Sequence, residues 1–205
     1  AGISLSGAHT CAITGNRVIS SLGPGLSISG ANGNLVYNNA FDSNAGIQIS
    51  LTGATRNNVF DSNIVTRGES YGIFSNADSN AFTNNRVDTA KAVGIYFSGA
   101  DTNRVTGNWV HNTRLGAGLW MENSGGNFVY DNTFDSNLAD GVLLQGLSNN
   151  TLDSNTLSKN GAGGVNATAD SCTITNNRIE DNKSHGIWLN GADSSTIRGN
   201  RVYNS

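Results

Sequence analysis

Charged residues, proline and cysteine are all scarce in this chain. Of its 205 residues 13% are charged, one is proline and two are cysteine, whereas 37% are hydrophobic. Disordered chains are rich in charge and proline and poor in hydrophobic residues, so the composition excludes a largely disordered protein. The formal net charge is −3 and the arginines are scattered. Because nucleic-acid binding needs clustered positive charge, we expect no nucleic-acid partner.

Long hydrophobic segments are also missing. No apolar run approaches the roughly 18 residues that indicate a membrane-spanning helix, so we expect no membrane span. No window places apolar residues at the i, i+3, i+4 and i+7 positions of an amphipathic helix, which excludes a helical repeat. The sequence begins inside a repeat, and we expect that any export signal has been removed or was not included.

Asparagine and glycine are abundant, with 31 and 26 residues, and they recur in a fixed pattern. Nine copies of G-φ-x-φ, a small polar turn and N-x-φ-x-x-N-x-φ follow one another, where φ is hydrophobic. The copies begin at Gly2, Gly25, Gly46, Gly72, Gly94, Gly118, Gly141, Gly164 and Gly186, at spacings of 21 to 26 residues. Short alternating segments in each copy predict a coil of β-strands, and stacked coils pair each strand with its equivalents above and below. The predicted fold is an all-β parallel solenoid of nine coils of about 23 residues, with residues 1–205 as a single domain.

Two asparagine columns and two hydrophobic columns run through the copies. The first asparagine column is Asn34, Asn58, Asn80, Asn103, Asn127 and Asn150, with Cys11, Cys172 and Ser195 in the remaining copies. The second is Asn16, Asn39, Asn63, Asn85, Asn108, Asn132, Asn155, Asn177 and Asn200. We predict that stacked asparagines adopt the left-handed conformation at turns and pass amide hydrogen bonds from coil to coil. These ladders would close the corners of a core built from the hydrophobic columns.

The two cysteines occupy the same column, seven coils apart. At the strand spacing they would be separated by roughly 34 Å, far beyond the reach of a disulfide. We therefore interpret Cys11 and Cys172 as replacements for ladder asparagines.

The repeat resembles the right-handed parallel β-helix repeats of carbohydrate-acting proteins. These include mannuronan C5-epimerases, NosD-like periplasmic proteins, pectin-degrading enzymes and phage tailspikes. The resemblance covers the whole chain and implies a right-handed β-helix, a polysaccharide partner and an extracellular or cell-surface location. Because the same scaffold carries many activities, the resemblance specifies fold more than function.

A polysaccharide would contact outward-facing side chains. The residues between the inward positions of the first strand are Ser4, Ser27, Gln48, Phe74, Tyr96, Trp120, Leu143, Asn166 and Trp188. Phe74, Tyr96 and Trp120 would stack on consecutive coils, where flat aromatic faces can pack against sugar rings. The same surface could instead form a protein–protein contact.

The variable loop before this strand adds further candidate binding residues. It brings Tyr71, Lys91 and Arg114 close to the aromatic column, together with Glu69 and Asp140. We expect a groove along coils four to six, with the aromatic residues and these three loop residues as its ligand-binding side chains.

A second outward column places Asp88, His111 and Asp135 on successive coils. A histidine between two carboxylates could transfer protons or bind a cation. The alternative is a solvated charge ladder in which the histidine relieves the stacking of like charges. These three residues are the candidate catalytic residues.

The catalytic signatures of the similar enzymes are missing. Alginate epimerases carry Tyr-Gly-Phe-Asp-Pro-His, whereas here Tyr71 and Gly72 are followed by Ile-Phe-Ser-Asn. Paired aspartates of the polygalacturonase kind, the acidic cluster of calcium-dependent pectate lyases and the calcium-binding G-G-x-G-x-D repeat are also missing. We expect no self-contained epimerase or pectinase activity, no cofactor and no metal ion.

Two functions remain open. One is a secreted or surface β-helix that binds an extracellular polysaccharide or helps to process it. The other is a structural subunit of a filament or spike whose molecules associate head to tail or side by side. From Gly186 to the Gly2 of a following copy the spacing would be 21 residues, equal to the shortest spacing within the chain.

Overall fold

The computed structural model describes residues 1–205, which form β-strands and turns and no helix. Each of nine coils contributes one strand to each of three nine-stranded parallel sheets. Sheet A contains Ile3–Ser6, Leu26–Ser29, Ile49–Thr52, Ile73–Ser75, Ile95–Ser98, Leu119–Glu122, Val142–Gln145, Val165–Ala167 and Ile187–Leu189. Sheet B contains Ala12–Thr14, Leu35–Tyr37, Val59–Asp61, Ala81–Thr83, Arg104–Thr106, Phe128–Tyr130, Thr151–Asp153, Thr173–Thr175 and Thr196–Arg198. Sheet C contains Arg17–Ile19, Ala40–Asp42, Ile64–Thr66, Arg86–Asp88, Trp109–His111, Thr133–Asp135, Thr156–Ser158, Arg178–Glu180 and Arg201–Tyr203.

The predicted all-β parallel solenoid of nine coils is therefore confirmed, while its right-handed winding stays a prediction. The structure contains no helix long and apolar enough to cross a membrane.

The core follows the predicted hydrophobic columns. It is one continuous cluster of 33 buried residues that extends from Ile13 to Ile179. Equivalent side chains of neighbouring coils lie on one another, as the stacked rings of Phe60 and Phe82 show with centroids 5.1 Å apart. A single coil could not bury these side chains, because their partners belong to the coils above and below.

Both predicted asparagine ladders are present. Asn108 Oδ1 accepts hydrogen bonds from the backbone N–H and the side-chain amide of Asn85, at 2.9 and 3.0 Å. The backbone N–H and side-chain amide of Asn108 donate in the same way to Oδ1 of Asn132 in the next coil, at 2.8 and 2.9 Å. Cys11 and Cys172 are free thiols in the first ladder, as predicted.

The left-handed backbone conformation falls on the residue before each ladder position, so our prediction that the ladder asparagines adopt it was wrong. Asn38, with φ of +54°, precedes Asn39, and Gly107, with φ of +67°, precedes Asn108. This arrangement recurs at the three corners of all nine coils. One residue with positive φ turns the chain, and the next residue can then direct its side chain inward to a backbone N–H.

A third asparagine ladder, which we did not predict, lies at the corner after sheet C. In this ladder each backbone N–H donates to the side-chain oxygen of the asparagine in the next coil, at 3.0 to 3.3 Å. The donor and acceptor pairs are Thr113 and Asn137, Asn137 and Asn160, and Asn160 and Asn182. Its members follow the second ladder by five residues, a spacing that is visible in the sequence.

The third coil begins at Gln48 and not at Gly46. Leu26 pairs with Ile49, and the backbone N–H of Leu26 donates to the carbonyl of Gln48 at 2.8 Å. Gln48 is consequently buried, and its amide oxygen accepts from Asn44 at 2.5 Å. The outward position that we assigned to Gln48 belongs to Ser50, which pairs with Phe74.

This correction makes the coils more regular, because their starting points are now spaced by 22 to 24 residues. The apparent spacing of 21 residues between Gly25 and Gly46 is therefore not a spacing between coils. Gly46 does not start a coil, but the close approach of the preceding coil requires glycine at this position. A Cβ atom there would lie 2.9 Å from the backbone of Gly23 and Pro24.

Candidate functional site

Four aromatic side chains form a cluster on the outer face of sheet A, which we call the aromatic platform: Tyr71, Phe74, Tyr96 and Trp120. The last three are in register on consecutive strands. Ring centroids of Tyr96 and Trp120 are 4.7 Å apart at 25°, and those of Phe74 and Tyr96 are 5.6 Å apart. Tyr71 enters from the loop before sheet A, 4.9 Å from Tyr96. The structure thus brings together the four aromatic residues that the sequence indicated.

Polar side chains of the following coils hold two of these rings in place. The Tyr96 hydroxyl donates to Glu122, and the Trp120 indole N–H donates to Gln145 Oε1 at 3.0 Å. Burial, and then the bond to Glu122, raise the pKa of the Tyr96 hydroxyl, so it remains a proton donor at neutral pH. Phe74 and Trp120 are half-buried and offer ring surface to a ligand, whereas Tyr96 is only 9% exposed.

The predicted cationic residues meet at one carboxylate two residues before Tyr71. Lys91 Nζ and Arg114 Nη2 lie 3.2 and 3.0 Å from opposite oxygens of Glu69. Hydrogen bonds from Arg114 and Lys91 lower the pKa of the Glu69 carboxyl. The groups are solvent-exposed, so these ion pairs position side chains more than they stabilise the fold.

An open cleft of about 430 Å³ lies beside this cluster. It is lined by Ser43, Arg67, Glu69, Thr89 and Arg114. These residues belong to coils two to five, so the cleft begins earlier in the chain than the groove we predicted along coils four to six.

Arg67 is a cleft residue that sequence reasoning missed. Its guanidinium forms a two-point ion pair with Asp42, which lies in the outward column of sheet C. The hydrogen bond from Arg67 is the main reason that the pKa of Asp42 is lowered. Asp42 was visible in the column, but the Arg67 side chain could be placed only once its loop was known.

Asp88, His111 and Asp135 occupy consecutive strands in register, as the sequence predicted. His111 Nε2 lies 3.6 Å from Asp88 and has no hydrogen-bond partner. Asp135 instead accepts from the indole N–H of Trp109 at 2.5 Å, and the Trp109 ring stacks on His111 at 4.0 Å. Burial lowers the pKa of His111, which favours the neutral imidazole. The three side chains do not form a carboxylate–histidine–carboxylate chain here, and their catalytic role stays a prediction.

One protein-family model matches the whole chain. The model of the periplasmic copper-binding protein NosD matches residues 1–139 and 115–205. This chain belongs to the NosD family. Comparison with curated proteins finds no match.

Several solved structures share the solenoid of this NosD-family chain. The periplasmic alginate epimerase AlgG is 16% identical with a TM-score of 0.84, over 92% of this chain and 50% of the epimerase. The A-module of mannuronan C-5 epimerase AlgE4 from Azotobacter vinelandii is 14% identical with a TM-score of 0.65, over 98% and 76%. Tailspike protein 2 of bacteriophage CBA120 is 13% identical with a TM-score of 0.63, over 96% and 38%. At these identities the likeness concerns the fold, and the chain spans half the length of the alginate epimerase.

The description of the NosD family raises the question of copper. Cysteine, histidine and methionine are the side chains that copper prefers. No three His, Cys, Asp or Glu side chains of this chain lie where they could share a metal ion. Cys11 and Cys172 are in coils one and eight, and Met121 is fully buried in the core. The residues present do not fit a copper ion, and we derive no function from one.

Proposed function

We propose that this NosD-family chain binds a polysaccharide outside the cytoplasm, with the aromatic platform as its main contact surface. The observation that carries the proposal is the stack of Phe74, Tyr96 and Trp120 on consecutive coils. Flat rings in a row suit the C–H faces of sugar rings. A polymer that lies along the solenoid axis can contact Phe74 and Trp120, with the mostly buried Tyr96 supporting the surface between them.

The hydrogen bonds to Glu122 and Gln145 support a binding role. They fix the orientation of Tyr96 and Trp120 before any ligand arrives, which reduces the ordering cost of binding. They also place a carboxylate and an amide at the edge of the rings, where sugar hydroxyls can bond. A purely apolar protein contact would not need these polar groups.

The cleft beside the platform extends the same surface. Glu69 and Tyr71 are two residues apart in the chain, so a polymer that extends past Tyr71 would next meet Lys91 and Arg114, the partners of Glu69. The mixture of both charge signs accepts neutral and acidic sugars. Two of the similar structures bear the names of enzymes that act on alginate or mannuronan, which supports a polysaccharide as the partner. The periplasmic description of the family supports a location in the cell envelope.

The proposal is a binding function, because this chain has no Asp-Pro-His after Tyr71 and Gly72. Polysaccharide processing would need other acid–base groups, of which Asp88, His111 and Asp135 are the candidates.

The test compares Trp120→Ala with Trp109→Ala. Both tryptophans face outward and both donate their indole N–H to a side chain of the next coil, but Trp109 lies on sheet C, away from the platform. A glycan array identifies the polysaccharide, and calorimetry measures the affinity. We expect Trp120→Ala to cost about 1–3 kcal/mol of binding energy, about five- to 150-fold in Kd.

The circular dichroism spectrum of Trp120→Ala should match that of the parent protein, because an outward side chain contributes little to the core. Equal losses of affinity in the two variants would contradict the proposal. A protein that binds no glycan and forms filaments in electron micrographs would favour the structural alternative, in which molecules self-associate.

A further inference from the structure

A small pocket with mixed polar and apolar walls lies on the same face of the solenoid, beyond the aromatic platform. Its volume is about 130 Å³, and its lining side chains include Asp140, Asn166, Ser184, His185 and Trp188. We call it the Asn166 pocket. Asn166 and Trp188 belong to the same outward column of sheet A as the platform residues, since Trp120, Leu143, Asn166 and Trp188 pair in register.

The amide of Asn166 is unusual among the asparagines of this chain. Its Oδ1 atom is buried and has no hydrogen-bond donor. A buried acceptor without a partner costs stability, and in native structures such a group calls for an explanation. Asn166 lies in the outward column, has no role in the ladders and lines the pocket, so a ligand whose hydroxyl reached this oxygen would supply the missing hydrogen bond.

The other walls suit a sugar ring. Trp188 is 43% exposed, and its indole stacks on the imidazole of His185 with centroids 5.4 Å apart. His185 is in turn held through Nδ1, 2.7 Å from the Ser184 hydroxyl. The pocket therefore offers an aromatic face of fixed orientation beside polar groups, the combination expected of a carbohydrate subsite.

The charge of the pocket determines the kind of sugar. Asp140 is a carboxylate among the lining residues, and they include no lysine or arginine. Asp140 Oδ1 accepts from the backbone N–H of Gly163 at 2.7 Å. A Cβ at residue 163 would lie 3.0 Å from that oxygen, so glycine permits this close approach. A carboxylate and a free amide oxygen favour hydroxyl donors and disfavour an anion.

We propose that the Asn166 pocket is a subsite for an uncharged, hydroxyl-rich sugar unit. It rests on the proposed function in that one polymer, lying along the axis, would contact the platform and then the pocket, whose Asn166 and Trp188 are two and three coils beyond Trp120. The subsite would select against acidic sugars at this position, whereas the platform with its neighbouring cations accepts them.

The three tryptophans allow a direct test, because their indole N–H groups give separate NMR signals. Trp188 reports on the pocket, Trp120 on the platform and Trp109 on sheet C as the internal control. The ¹⁵N-labelled chain is titrated with oligomers of glucose, mannose and N-acetylglucosamine, and with uronate oligomers of the same length. We expect at least one neutral oligomer to shift the Trp188 signal saturably while uronates of equal length leave it in place.

The matched variants are Asn166→Leu, which copies Leu143 of the preceding coil, and Asn166→Ala in case the larger side chain impairs folding. Loss of one hydrogen bond should weaken the binding of that neutral oligomer about three- to tenfold. Unchanged affinity in a folded variant would overturn the proposal. So would a uronate that shifts Trp188 at lower concentration than any neutral oligomer, or a panel that never shifts it.

The outcomes also separate the two proposals. If the neutral oligomers that shift Trp120 all leave Trp188 in place, the pocket is overturned and the platform is supported. A shift of Trp188 alone supports the pocket as a sugar site and overturns the platform. If neither signal moves with any oligomer, both proposals are wrong.

Discussion

Replacing a single ladder asparagine tests how the solenoid is held together. Asn108 is 1% exposed, and its Oδ1 is the hydrogen-bond partner of the Asn85 backbone N–H. In Asn108→Ala this buried N–H loses its acceptor, at a cost of about 1–3 kcal/mol. The substitution also removes the Asn108 amide N–H groups that donate to the Phe82 carbonyl and to Asn132 Oδ1, both within 2.9 Å. Loss of these bonds adds roughly 1 kcal/mol to the destabilisation. We expect the free energy of unfolding to fall by about 2–4 kcal/mol in total.

The matched control is Asn112→Gly. Asn112 is exposed and adopts φ of +57°, so glycine removes the side chain without straining the backbone. Urea titration followed by circular dichroism and by tryptophan fluorescence gives the midpoint and the slope for each variant. The midpoint of Asn108→Ala should be clearly lower at an unchanged slope, while that of Asn112→Gly stays near the parent value. Equal destabilisation at the two positions would refute the ladder reasoning.

Two further predictions concern ionisable groups. Burial raises the pKa of the Cys172 thiol to about 11. At pH 8 a thiol reagent should therefore label the half-buried Cys11 in the native protein and Cys172 only after unfolding. Equal labelling rates for the two cysteines would contradict this prediction. The hydrogen bond from Arg67 lowers the pKa of Asp42 from its usual 3.8, so the stabilisation exists above about pH 4 and is lost as the pH falls through the lowered pKa. The stability difference between the parent protein and Asp42→Asn, measured in urea, should therefore shrink at acidic pH, and a difference that is constant down to pH 2 would speak against the ion pair.

The start of coil three was predicted two residues too early, at Gly46 instead of Gln48, because its sequence alternates with a period of two. Residues 46–51 read Gly-Ile-Gln-Ile-Ser-Leu, in which a shift by two residues keeps every hydrophobic side chain on the same face. The sequence pattern alone therefore allows both registers. The structure selects the one in which Gln48 is buried against Asn44 and fills the space beside Gly68.

The aromatic part of the candidate site was predictable from the sequence, whereas in the charged part the sequence indicated Glu69, Lys91 and Arg114 but not their pairing, and it did not indicate Arg67. Phe74, Tyr96 and Trp120 lie within strands, where the repeat dictates both the face and the neighbours of each side chain. Arg67 and Arg114 lie in loops of variable length, and their long side chains reach partners one to two coils away. The partner of such a side chain depends on loop geometry, which the period does not specify.

The sequence by itself determined the nine coils and their strands, apart from the register of coil three, together with the hydrophobic columns and two asparagine ladders. In a solenoid the neighbours of a residue are its equivalents one period away, so regular spacing along the chain also predicts which residues contact one another. Only the tertiary structure decided that Asp135 bonds to Trp109 and not to His111, and that Asn166 lies unpaired in a pocket. These features depend on side-chain rotamers and loop paths, which differ from coil to coil while the backbone repeats.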